Sequence, residues 1–67
     1  MSREGKFLIH CIECYRLAKR LSGVAVADLF RRYEVFDYIM RHFESLHVNG
    51  DRYIVEEIDE FISNHAA

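Results

Sequence analysis

Cys11-Ile12-Glu13-Cys14 is the first group of residues in this chain that could do chemistry. A C-x-x-C pair can hold zinc or cycle between dithiol and disulfide, because the thiolate is both metal ligand and nucleophile. Zinc needs two further ligands, and His42 and His47 are on offer. The resulting C-x2-C-x27-H-x4-H spacing fits neither a zinc finger nor a ribbon. A thioredoxin-like pair would open a helix, where the helix end stabilises the thiolate. Here the pair falls inside a run of helical apolar spacing. Both cysteines are therefore expected to pack as small hydrophobes, with no metal and no cofactor.

His42, His47 and His65, set against Asp37, Glu44 or Asp51, are the residue types of general acid–base catalysis. Neither a nucleophile elbow nor a glycine-rich phosphate loop accompanies them. Histidines beside turns more often cap or pack. The reading is no catalytic residue and no enzyme.

Nucleic-acid binding is the sharper alternative. Ala25 to Leu46 has the outline of a helix-turn-helix regulator: a short helix, a break, then a longer second helix. A recognition helix presents Arg, Lys, Asn or Gln near its start. This one opens Phe36-Asp37-Tyr38 and carries only Arg41 as a base. A carboxylate there repels phosphate, so nucleic acid is disfavoured as a partner.

Surfaces for another protein are the remaining option. Arg16, Lys19, Arg20, Arg31 and Arg32 form a basic set, and Tyr38 with Arg41 three residues on shares a helix face. Tyrosine offers a large rigid ring with a polar tip, which suits interfaces. These seven residues are the candidate partner-binding positions.

The elements that must carry them follow from apolar spacing. Leu8, Cys11, Ile12, Tyr15, Ala18 and Leu21 recur at three and four residues and predict a helix over 3–21, widened by Phe7, Cys14 and Leu17. Gly23 suits the left-handed position after it. Val26, Leu29, Phe30 and Tyr33 predict a short helix over 25–33. Phe36, Ile39, Met40, Phe43 and Leu46 predict a third over 36–46, with the break at Glu34-Val35. Asn49-Gly50 marks a turn. It could close a hairpin onto Tyr53-Ile54-Val55, but Ile54, Ile58, Phe61 and Ile62 are at helical spacing. A fourth helix capped by Asp51 is the preferred reading. The expected fold is all-α, one domain over 1–67: a compact antiparallel bundle of about four short helices.

Composition narrows function further. Sixty-seven residues with 51% hydrophobic content can fold, but almost all of that content is needed as core. Little is left to enclose a substrate pocket of roughly 300 Å³. No apolar run approaches the ~18 residues of a membrane span. The first residues lack a signal-peptide core, and two cysteines do not make a secreted disulfide scaffold, so a cytoplasmic setting is expected. The net charge of -2 hides an asymmetry: residues 1–33 hold seven Lys/Arg against three carboxylates (+4), and residues 34–67 hold two against eight (-6). The two halves can complement each other on folding, or the basic one can face an acidic partner.

The string Phe7-x-x-x-Cys11-Ile12-Glu13-x-Tyr15, then Ser22-Gly23, Leu29-Phe30-x-x-Tyr33-x-Val35-x-Asp37-Tyr38-Ile39, then Leu46-His47-x-x-Gly50-x-x-Tyr53-Ile54-Val55-x-x-Ile58 resembles a small bacterial family, domain of unknown function 3791. The resemblance runs over about residues 7–62, and Leu-His-x-x-Gly-x-x-Tyr-Ile is its most specific part. Phe36 departs from the pattern, where smaller residues are familiar. The resemblance implies no enzymatic activity and transfers no catalytic residue. It implies a small companion of larger bacterial proteins, including ADP-ribosyltransferase-like toxins, and so an antitoxin-like or regulatory partner. The expectation is a non-enzymatic module that binds another protein, or itself as a homo-oligomer.

Overall fold

The computed structural model describes residues 2–66. Five helices follow one another: α1 (Arg3–Lys19), α2 (Gly23–Arg32), α3 (Val35–Arg41), α4 (Phe43–His47) and α5 (Asp51–Ala66). No strand occurs among the described residues, so Tyr53-Ile54-Val55 is helical and the hairpin alternative falls.

Serine sets the start of the first two helices. The Ser2 hydroxyl accepts from the Gly5 amide at 2.9 Å, and the Ser22 hydroxyl accepts from the Ala25 amide at 3.0 Å. Each satisfies an amide that the helix itself leaves free. Ser22 thus opens α2, and Gly23 is its first residue. The left-handed position after α1 belongs instead to Arg20 (φ 57°, ψ 46°), whose backbone N–H returns to the Arg16 carbonyl. Gly23 does not end α1, and the helix ends at Lys19, two residues before the expected end.

Glu34 also adopts the left-handed conformation (φ 56°, ψ 38°), and it makes the sharp break between α2 and α3 where the break is expected. For a residue with a side chain this conformation costs about 1–2 kcal/mol. Glycine removes that strain but adds roughly 0.5–1 kcal/mol of chain entropy. Arg20→Gly and Glu34→Gly are each expected to stabilise the fold by about 0.5–1 kcal/mol. In thermal melts that is a rise of roughly 2–8 °C for a chain of this size. An alanine at either position, which keeps the strain, should give no such rise.

The third predicted helix is two. At His42 (φ -112°, ψ 21°) the chain changes direction before α4 begins. The change carries Phe43 against Phe7 of α1, edge to face at 5.3 Å. At the start of α5 the Gly50 carbonyl accepts from the Ile54 amide at 3.2 Å, so Gly50 takes the capping position and Asp51 is the first helical residue. The Asp51 carboxylate is turned to α1 instead.

Each helix supplies two buried residues one turn apart: Cys11 and Tyr15, Val26 and Phe30, Val35 and Ile39, Phe43 and Leu46, Ile54 and Ile58. This is the i, i+3 or i, i+4 stripe of amphipathic helices closing on one core. Around it pack half-buried Leu8, Ile12, Leu29, Tyr33, Phe36 and Ile62, among others. The radius of gyration, 10.9 Å, matches the roughly 11 Å of a compact domain of this length. The apolar stripe of α1 is shorter than its spacing suggests, since Leu17, Ala18 and Leu21 are exposed.

α5 packs along α1, and the two run in the same direction. Asp51, at the start of α5, reaches His10, and Asp59, two turns on, reaches Tyr15 and Lys19. The bundle is therefore not antiparallel throughout. Three short helices bring the chain back to the first half of α1, which leaves α1 and α5 side by side.

Candidate functional site

Two parallel helices leave a furrow between them, and here it is open to solvent along α1 and α5. Cys14, Leu17, Ala18 and Val55 form its apolar floor, and Glu13, Asp51, Arg52 and Glu56 stand at its rim within a cavity of about 560 Å³. Leu17 is 67% exposed there. On the far side of His10 and Asp51 lies a second depression of about 390 Å³, which reaches Phe7, Phe43 and His47. The His10–Asp51 pair stands between the two.

That pair belongs to a three-residue cluster. His10 and Cys14 are one turn apart on α1 and share a face, and Asp51 comes to them from α5. His10 Nε2 lies 2.9 Å from Asp51 Oδ1 and 3.4 Å from Cys14 Sγ. The donor atoms of all three residues fall within 4.8 Å of one another. The His10 hydrogen bond holds the Asp51 carboxyl below its ordinary range. Burial, with the Asp51 charge second among its causes, pushes the Cys14 thiol up to about 11. Burial pushes the Cys11 thiol up to about 12, with a smaller contribution from Cys14. Both cysteines are therefore thiols at neutral pH, and neither is an activated nucleophile.

Cys11 is fully buried and packs as the core residue expected of it; Cys14 is half-buried at the furrow and stands apart from that role. His42 and His47 are not beside the cysteines. His42 packs against Tyr38 at 4.8 Å, and His47 stacks on Phe43 at 4.6 Å and meets its carbonyl through Nδ1. His65 packs on Phe61 at 4.1 Å. The cluster was hidden from the sequence because Asp51 is forty-one residues from His10. His10-x-x-x-Cys14 is its one local signal.

The seven candidate partner-binding residues do not make one patch. Arg16 holds Glu13 through two hydrogen bonds of 2.9 Å and so lines up with the furrow rim. Lys19 pairs with Asp59, and its ammonium lies over the Tyr15 ring at 5.9 Å. Arg20 sits in the left-handed turn. Arg31 pairs with Asp28 one turn before it, and Arg32 is exposed. Arg31 and Arg32 end α2, about 12 Å along its axis from Gly23, which neighbours Arg16. Tyr38 is drawn into packing: its ring stacks on Phe61 at 4.3 Å. Burial and nearby Glu57 raise its phenol. Arg41 is exposed beyond it. The charged halves of the chain do meet, at Lys19–Asp59.

No helix among the described residues is long and apolar enough to cross a membrane. Comparison with curated proteins and with solved structures finds no match. The sequence model of the family described as protein of unknown function (DUF3791) matches residues 6–65. That span holds all five buried pairs, the furrow and the His10–Cys14–Asp51 cluster, and the chain belongs to this family.

Proposed function

We propose that the protein is a non-catalytic interaction module, and that it takes an amphipathic helix of a larger bacterial protein into the furrow between α1 and α5. The observation that carries this reading is Leu17, a large apolar side chain left two-thirds exposed over the apolar floor made with Ala18 and Val55. Apolar surface left open in this way, within a polar rim, marks an interaction site. Helix-in-groove recognition uses the same design, with apolar anchors at i, i+3, i+4 and i+7. The rim carries Glu13, Asp51 and Glu56 against Arg16, which holds Glu13, and Arg52, which pairs with Glu56: three negative charges to two positive. It selects a helix with Lys or Arg beside its apolar face. An antitoxin-like role, with this chain held on a toxin in the cytoplasm, is one form of this function, and the family resemblance supports it.

A selection from a displayed library of helical peptides tests the reading. Sequences with an apolar stripe and basic flanks should be enriched. Leu17→Asp should weaken the selected peptides about five- to thirtyfold, the loss of one central anchor worth about 1–2 kcal/mol. Arg32→Asp, on α2, should leave them unchanged. Enrichment of acidic peptides, or equal binding to Leu17→Asp, would overturn it.

A further inference from the structure

We infer that His10, Cys14 and Asp51 form a zinc site with three protein ligands between α1 and α5. The site shares Cys14 and Asp51 with the furrow but does not rest on the helix-binding reading. Imidazole nitrogen, thiolate sulfur and carboxylate oxygen are the ligand types of Zn²⁺. A mixed set containing a thiolate selects zinc over magnesium or calcium, which take oxygen.

The geometry is close to what the ion requires. With metal–ligand bonds of about 2.0–2.3 Å, tetrahedral coordination sets neighbouring donor atoms roughly 3.4–3.6 Å apart. His10 Nε2 and Cys14 Sγ are 3.4 Å apart, and His10 Nε2 and Asp51 Oδ1 are 2.9 Å apart. The third pair, Cys14 Sγ and the Asp51 carboxylate, lies within 4.8 Å, and a rotation of the exposed Asp51 side chain would have to open the second distance and set the third. The i, i+4 pair on α1 is rigid, and the third ligand comes from the first turn of α5, so the ion would clasp the two helices that border the furrow. On binding, the Cys14 S–H bond breaks, the S–Zn bond forms and one proton leaves to solvent, while His10 binds as neutral imidazole. Three protein ligands leave a fourth position for water.

Cobalt(II) reports such a site directly. The reduced, chelator-stripped protein is titrated with Co²⁺ and followed by absorption. The expected result is a thiolate-to-cobalt charge-transfer band that saturates at one ion per chain and is abolished by Zn²⁺. Cys11→Ala should keep the band, and Cys14→Ser should lose it. Asp51→Asn replaces a solvent-exposed side chain and should stay folded by circular dichroism while weakening Co²⁺ about 100-fold, the upper end of what even an outer supporting partner is worth. The absence of the band in the folded wild-type protein, its survival in Cys14→Ser, or an unchanged affinity in Asp51→Asn would overturn the assignment.

Discussion

Phe30→Ala should leave this chain largely unfolded at 37 °C. Phe30 has no exposed surface, and its ring sits edge-on to Tyr15 of α1 at 5.4 Å and to Phe36 of α3 at 5.6 Å. It is the side chain through which α2 joins its two neighbours. Removing a buried phenylalanine costs about 3–5 kcal/mol, part of it for the cavity left behind. A chain of this length has a total stability of roughly 3–10 kcal/mol. The lower half of that range does not survive the loss. Phe30→Leu keeps most of the volume and should cost about 1–1.5 kcal/mol. Arg32→Ala, on the exposed end of the same helix, should stay within about 0.5 kcal/mol of wild type. Urea unfolding followed by circular dichroism separates the three. A wild-type midpoint for Phe30→Ala would contradict the placement of the core.

The second large effect lies where α1 meets the middle of α5. The Tyr15 hydroxyl donates to Asp59 Oδ1 at 2.6 Å, and Lys19 pairs with the other oxygen of the same carboxylate. Tyr15→Phe keeps the ring and deletes only the donor, leaving Asp59 half satisfied. A loss of about 1–2 kcal/mol at pH 7 is expected. Burial first, and the Asp59 hydrogen bond second, raise the Tyr15 phenol above its ordinary value of 10.0. The fold thus favours the neutral phenol. Its contribution is full below pH 10, where the unfolded chain also keeps the proton. It falls as pH rises above 10, because the unfolded tyrosine ionises first. Each pH unit in that window removes about 1.4 kcal/mol. Wild type and Tyr15→Phe should therefore converge between pH 10 and 11. Denaturant midpoints at pH 7, 9 and 11 test this, and a gap that stays constant from pH 7 to 11 would contradict it.

The apolar residues that close the core were legible because their spacing is a local property. Val26 with Phe30, and Ile54 with Ile58, are read from one turn of helix without knowing any neighbour. The ends of elements were less so. Gly23 looked like the left-handed residue after α1, yet Ser22 outcompetes it by capping α2, and Arg20 takes the strained turn. Nothing in the types of Arg20 or Glu34 announces φ near 57°. The single helix expected over 36–46 breaks at His42, a position without glycine or proline, where the need to bring Phe43 onto Phe7 prevails over local preference.

The candidate site depended on pairing, which periodicity does not carry. Leu17 and Leu21 have the spacing of core residues, but α1 outreaches the neighbours available to cover it, and Leu17 ends above the furrow. Asp51 had the position of a helix cap, and only the parallel packing of α5 on α1 turns it to His10. Cys14 resembled Cys11 in sequence, and about 60° around the helix, one-sixth of a turn, separates a sealed core thiol from one at the furrow. The family resemblance over about residues 7–62 and the match over residues 6–65 cover the same ground.

The most direct measurement of the furrow reading is amide and methyl chemical-shift mapping of the ¹⁵N,¹³C-labelled protein with a library-selected helical peptide. The predicted result is a contiguous set of shifts at Cys14, Leu17, Ala18, Val55 and Glu56, absent with a peptide whose apolar stripe is replaced by serine. Shifts centred instead on Arg31 and Arg32, or on Tyr38 and Arg41, with Leu17 and Val55 unmoved, would contradict it.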